Sequence, residues 1–334
     1  MGAPRAQVPG VVLVVSSYGG RRFTQFLLCD ERMLLVDSGM AGWVGERIEP
    51  QLSATGLSLM RVDFVLNTHA DVDHYGGNAE LRRMVPGMIL MAHRADAPLI
   101  ERWGCMVSER LGVHERCGQG YASETMGWLE TAAGPSTRLD VLLRGSEVLR
   151  LGVKREVEIV HLPGHSRGMV GVWDRSYGVL IAADAALGRG MVNEAGVLDG
   201  PPPYFDVVAY RRSLRKMLTF DFQWLLLTHH PVMNRACGLR FLEDSLAHID
   251  AMESVIRECL ADPEGPVRFR DIFETVETRF GPYAVMPNEL CAPIRAHLED
   301  LRRRGLAALV RGQKDDEPVW RGCGEGVNAT DGRR

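Results

Sequence analysis

Positions 69–74 of this 334-residue chain hold four side chains of the kind that bind metals: His69, Asp71, Asp73 and His74, inside the stretch LNTHADVDHYGGN at 66–78. His69 and Asp71 are two apart, so in extended backbone they point to the same side. Asp73 and His74 lie just beyond, where the chain turns toward a helix. Two such pairs can serve two neighbouring metal ions through imidazole nitrogen and carboxylate oxygen. Gly76 and Gly77 let the turn pass close to the site with no Cβ in the way. Four residues do not complete two sites, so more ligands must come from elsewhere. His165, Asp184 and His229 are the candidates, because each follows the end of an apolar, strand-like run.

The elements that must position these groups follow from pattern. Val62, Phe64, Val65 and Leu66 run into the ligand loop as a buried strand. Before it, 11–16, 23–29 and 33–37 read as successive strands with turns at Gly19-Gly20 and Asp30-Glu31. The third gives way to a loop at Asp37-Ser38-Gly39, where Asp37 reads as a loop-fixing carboxylate rather than a ligand. A helix is expected over 43–55, stopped by Gly56, then a helix at 78–84 and a strand at 88–92. From about 95 to 137 strand alternation disappears and helical runs mix with Gly, Met and Trp. This helical insertion either packs on the outside of a sheet or caps the site. Strands resume at 141–143, 148–151, 157–161, 169–173, 178–182 and 224–227, with helices over 207–218 and 239–260. Ligand-type residues at strand ends, and alternating strands and helices, suit mixed sheets sandwiched between outer helices with one shared crevice.

Bulk composition narrows the function classes. A net charge of −4 makes no global electrostatic case for nucleic acid or an anionic membrane. No apolar run approaches the roughly 20 residues of a membrane helix, and the first ten residues lack the apolar core of a signal peptide. Seven cysteines are scattered with no CxxC, which suits reduced thiols, so the expected location is cytoplasmic. The Asn-Ala-Thr at Asn328 is discounted as a glycosylation site on the same ground. Walker A and dinucleotide fingerprints are absent.

Taken in order, His-x-Asp-x-Asp-His-x-Gly-Gly at 69–77, Pro-Gly-His at 163–165, Ala-Ala-Asp at 182–184 and Leu-Thr-His-His-Pro at 227–231, with Val36-Asp37-Ser38-Gly39 before them, resemble the metallo-β-lactamase-fold hydrolase superfamily over about 11–232. The resemblance implies an α+β fold, an αββα sandwich, with a binuclear metal site between its sheets. It implies that His69, Asp71 and His165 bind one divalent ion, that Asp73, His74 and His229 bind the other, and that Asp184 bridges them. Asp73 would also be catalytic, orienting a metal-activated water that attacks an ester, thioester or lactone and then passing a proton to the leaving group. The family's usual His-x-His-x-Asp-His has Asp71 in place of its second His. An anionic oxygen there makes the first site harder, so Fe or Mn join Zn as expected metals. A branch with Glu at this position binds two irons for redox chemistry and provides an alternative reading. Tyr204, after the triple proline at 201–203, is a candidate substrate contact.

The catalytic domain is expected over 1–262. A cluster of Asp, Pro and Gly at 262–266 marks a linker. Helices at 269–280 and 289–305 and strands at 306–310 and 318–320 then form a small unit over 263–322, followed by a disordered tail at 323–334. This unit resembles the winged-helix-like appendage of a superfamily branch that includes an endoribonuclease-like group. Arg302-Arg303-Arg304 would then be a nucleic-acid contact and the protein a ribonuclease. Glu299, Asp300, Asp315, Asp316 and Glu317 dilute that charge, which favours packing against the core or against a second copy in a homodimer. The favoured partner is a small-molecule substrate, with no membrane.

Overall fold

The computed structural model describes residues 8–261, 265–310 and 318–323. Two six-stranded sheets dominate it. The first contains β1 (Val11–Tyr18), β2 (Arg21–Cys29), β3 (Met33–Val36), β4 (Val62–Asn67), β5 (Ile89–His93) and β6 (Val141–Leu143) in chain order. β1 to β3 are antiparallel, and β3 to β6 are parallel. The second is built from β7 (Val148–Arg150), β8 (Glu156–His161), β9 (Val170–Asp174) and β10 (Val179–Ile181), with β13 (Trp224–Leu226) and β14 (Met233–Asn234) at its far edge. Between these in sequence, β11 (Met191–Val192) and β12 (Leu198–Gly200) pair with each other.

Period-2 alternation decides which side chains meet between the sheets. Phe26, Leu28, Leu34, Val36, Phe64 and Leu66 of the first sheet pack against Val157, Ile159, Val170, Val172, Val179 and Ile181 of the second. The opposite faces are also buried. Leu27, Leu35, Val65 and Leu90 pack with Val44, Ile48, Leu52 and Leu81 of the helical layer on one side. Val160, Leu180 and Leu225 pack with Leu214, Ile249 and Met252 on the other. Burial on both faces is why these strands read as continuous apolar runs. Each fully buried aliphatic side chain contributes about 1.5–3 kcal/mol, and this four-layer arrangement is an αββα sandwich.

Strand direction gathers the polar loops. β8 and β10 are both antiparallel to β9, and β13 is parallel to β10. The C-terminal ends of β8, β10 and β13 therefore lie on one edge of the second sheet. β3 and β4, parallel to each other, end beside them. The expected elements largely coincide with the observed ones. The long helix starts earlier than expected, at Arg235, because the Asn234 side chain caps it by accepting from the Cys237 amide at 2.9 Å. Two-residue strands such as β14 lack a run long enough to show alternation.

The segment between β5 and β6 is helical: Ala97–Glu101, Trp103–Cys105, Met106–Leu111, Gly112–Arg116 and Ser123–Ala133. After the Arg235–Leu260 helix come β15 (Val267–Arg268), helices Phe269–Phe280 and Cys291–Arg303, β16 (Ala307–Val310) and β17 (Val319–Gly322), the strands in the order β15-β17-β16. Ile272, Ile294, Leu298 and Trp320 share one apolar cluster with Met252 and Ile256 of the long helix. The expected boundary at 262, the acidic residues 315–317, and all of the tail except Cys323 lie outside the described residues.

Candidate metal centre

β3 hands over to the site through an unusual backbone. Asp37 has φ +66, in the left-handed region that side chains other than glycine avoid. That conformation aims its carboxylate at the start of the ligand loop. Oδ1 accepts the Thr68 amide at 2.7 Å, and Oδ2 accepts from the Thr68 hydroxyl at 2.9 Å and from His74 Nδ1 at 2.8 Å. Ser38, Asn67 and Asn78 brace the other side. Asn67 and Asn78 exchange side-chain amide bonds at 3.1 and 2.8 Å, and Asn67 and Ser38 both donate to the His74 carbonyl. Gly76 and Gly77 are needed because a Cβ would stand 2.1 Å from the Ala132 carbonyl oxygen at one and 2.3 Å from that of Ser38 at the other.

Hydrogen bonding fixes every ring tautomer. Thr68 gives its one hydroxyl proton to Asp37, so it accepts from His69 Nδ1–H at 3.1 Å. His165 Nδ1–H donates to the Pro203 carbonyl at 2.6 Å, and His229 Nδ1–H donates to the Arg22 carbonyl at 3.0 Å. His74 Nδ1–H is held by Asp37. In the neutral rings all four Nε2 atoms are therefore left as lone pairs.

These lone pairs face carboxylates. His74 Nε2 is 3.2 Å from Asp73 Oδ2 and 3.5 Å from Asp184 Oδ2. His229 Nε2 is 3.4 and 3.2 Å from the same two oxygens. His74 Nε2 and Asp184 Oδ1 are buried with no hydrogen-bond partner. Mutually facing acceptors, buried and unpartnered, are the chemistry of a cation site, and a divalent ion fits this set of two imidazoles and two carboxylates. Although burial works against it, the field of Asp73, Asp37 and Asp184 holds the His74 imidazole well above its ordinary pKa. Against burial again, His229 is pushed up to about 10 by Asp184 and Asp73. The same negative field that draws protons to these rings also draws a metal cation.

The expected first set is arranged differently. His69 Nε2 and His165 Nε2 lie 3.2 and 2.8 Å from Asp71 Oδ2. Both oxygens of Asp71 are also gripped by Arg110, Nε at 2.5 Å on Oδ1 and Nη2 at 2.6 Å on Oδ2. The same Nη2 is 3.1 Å from His165 Nε2. The extra negative charge of Asp71 is thus neutralised in place, so the first set is not the more anionic one its sequence suggests.

The structure brings His69, Asp71, Asp73, His74, His165, Asp184 and His229 together at one crevice. Tyr204 is elsewhere: fully buried, stacked on Tyr210, with its hydroxyl 2.9 Å from His297 Nε2. Its neighbours Pro203 and Phe205 line the crevice in its place, which corrects the expectation of a substrate contact at Tyr204. His230 packs its ring on Phe241 and stays out of the ligand cluster.

Sequence reasoning misses three residues. Arg110 is one, although a carboxylate at Asp71 in place of a neutral ligand signals that some cation must answer it. Asp96 is another: buried, it accepts from Ser166 Oγ at 2.6 Å, Gly168 N at 2.7 Å and Ala70 N at 3.2 Å, tying the His69 loop to the His165 loop. Glu289 is the third, reaching the crevice from the turn at Pro287–Leu290 and accepting from the Tyr121 hydroxyl at 3.3 Å.

The crevice opens into a cavity of about 630 Å³. Its walls are mostly apolar, with Phe23, Met40, Leu111, Trp128, Leu187 and Met286 among them. Residues 106–129 of the helical insertion and 285–289 near the C-terminus both line it, so the insertion covers the site rather than only thickening the sandwich. The two segments meet where His114 Nδ1–H donates to the Asn288 carbonyl at 3.0 Å.

A family model of the metallo-beta-lactamase superfamily matches residues 26–229. The chain belongs to that superfamily, in a variant with Asp in the second position of the His-rich motif. A search of curated proteins gives no match. Among solved structures, it is similar to a metallo-beta-lactamase family protein from Thermus thermophilus, with 20% identity and TM-score 0.71 over 94% of this chain and 99% of that one. It is similar to a beta-lactamase domain protein from Burkholderia ambifaria, with 21% identity and TM-score 0.70 over 94% and 92%. A superfamily protein from Sulfolobus tokodaii aligns with 16% identity and TM-score 0.53 over 72% and 86%. At these identities the likeness speaks for the fold. Among the described residues no helix is long and apolar enough to cross a membrane.

Proposed function

We propose that this protein is a metal-dependent hydrolase acting on a largely apolar ester, thioester or lactone. The observation that carries the reading is the convergence of His74 Nε2, His229 Nε2, Asp73 Oδ2 and Asp184 Oδ2 beside a largely apolar cavity that Asp73, Asp184 and His229 line. A divalent ion held by these residues, Zn or with this carboxylate share Fe or Mn, supplies Lewis acidity and lowers the pKa of a water toward neutrality.

The chain's own groups do the rest. Asp73 lines the cavity with its side chain 15% exposed, the position from which a carboxylate orients the attacking water and carries a proton to the leaving group. Asp37 and the Arg22 carbonyl hold the two imidazoles in the tautomer that presents Nε2. The insertion and the 285–289 segment keep bulk water away and give the acyl part of the substrate an apolar surface.

The test is to purify the protein, strip it with a chelator, reload it, and assay apolar esters, thioesters, lactones and a phosphodiester. Hydrolysis of the acyl substrates is expected only after reloading. The Asp184→Ala variant, folded by circular dichroism, is expected to lose the ion and to drop by at least about 10²-fold in kcat/KM. Wild-type metal content and rate in that variant would sink the reading.

A further inference from the structure

We propose that the guanidinium of Arg110 takes the place of a first metal ion, so that the chain holds one divalent ion, at the Asp73, His74, His229 and Asp184 cluster. The inference rests on the metal-centre reading above and departs from the two-ion site that the sequence resemblance implies.

Donor occupancy is the first argument. The first ligand set is His69, Asp71 and His165. Arg110 Nε and Nη2 take both Asp71 oxygens as a fork, at 2.5 and 2.6 Å. In the neutral ring His165 Nε2 is a lone pair, because Nδ1–H is committed to the Pro203 carbonyl. It stands 2.8 Å from Asp71 Oδ2, also an acceptor. Two acceptors at that distance need a cation or a shared donor. Nη2 carries two hydrogens and is within reach of both atoms, so one guanidinium nitrogen satisfies the pair. Nη1 adds a bond to the His165 carbonyl at 3.2 Å.

Fixation is the second argument. The Arg110 side chain is 8% exposed, its guanidinium carbon lies 4.5 Å from the Phe205 ring centre, and it lies on the buried side of the segment Met106–Leu111, with Met106. This is not a surface arginine with somewhere else to go, and withdrawing it would leave the partly buried Asp71 without its counter-charge. A divalent ion added beside it would meet a like charge at close range.

The second cluster supplies the contrast. Among the described residues the ion-pair partners of Asp73 and Asp184 are histidines only. That set still needs a cation, whereas the first already has one.

Metal stoichiometry tests this without reference to turnover. Chelator-stripped protein is titrated with Co(II) and, separately, Zn(II), followed by calorimetry and by the Co(II) visible spectrum. The wild type is expected to take up one equivalent. Arg110→Met, which keeps the stem and removes the charge, is expected to take up two, because Asp71 is then a partly buried carboxylate without a counter-charge. His165→Ala, should Arg110→Met not fold, is expected to keep its single equivalent. Two equivalents in the wild type, one in folded Arg110→Met, or loss of the ion in His165→Ala overturns the proposal. No uptake by the wild type overturns the metal-centre reading beneath it as well.

Discussion

Asp37 shows how much of the centre depends on a residue that would touch no ion. It sits in left-handed backbone at the end of β3, is fully buried, and spends its oxygens on Thr68 and His74. Removing its charge while keeping its shape should leave the fold intact and loosen the ring it aims. Asp37→Asn is therefore expected to weaken metal affinity by about 10–100-fold, read by competition with a chelating dye. Unchanged affinity would mean that His74 is positioned by packing alone. The ligand-type residues were legible in the sequence because each ends an apolar strand and their order is distinctive. Arg110 was not. A carboxylate replacing a neutral ligand announces that a cation must answer it, but nothing local says which of the chain's many arginines does so. Tyr204 misled for a related reason: a proline run predicts a rigid loop near the site, but not which of its neighbours turns inward, and Phe205 does.

At the scale of elements, the long helix Arg235–Leu260 couples the sandwich to the C-terminal residues. Glu253 is its hub. It contacts Arg211 at 3.1 Å, Arg304 at 2.6 Å and, more loosely, His297 at 3.8 Å. The nearby His297 ring, followed by the bonds of Arg304, holds the Glu253 carboxyl down at about 2 against the opposing effect of burial. A carboxylate whose folded pKa lies below its unfolded value stabilises the fold above the unfolded value, near 4.5, and loses that contribution as pH falls toward 2. Glu253→Gln is expected to lower stability by about 1–3 kcal/mol at pH 7, with the difference from wild type shrinking as pH drops from about 5 to about 3. Denaturant unfolding at several pH values measures it, and a pH-independent difference would contradict the ionic account. Strands and long helices were legible because burial on both sheet faces or on one helical face leaves a periodic mark. The covering role of the insertion left none, since Met and Trp facing a cavity look like Met and Trp in a core.

The whole molecule places the covering insertion, the C-terminal residues and the sandwich around one crevice. That arrangement argues for a small apolar substrate more than for a nucleic acid. Arg302 pairs with Glu299, Arg303 with Asp300, and Arg304 with both Asp300 and Glu253, so the arginine run presents paired rather than open charge. The sequence likewise pointed to packing for this run because of the acids around it, but could not show that residues 285–289 turn back to line the site. Such a contact joins positions far apart in the chain and depends on how helices dock. The most direct test of the account is to return Zn(II) in steps to stripped protein and follow hydrolysis of an apolar thioester at each step. The rate is expected to rise from background and level off at one equivalent. A stripped protein that hydrolyses at full rate, or a loaded one that never exceeds background on any acyl substrate, would contradict it.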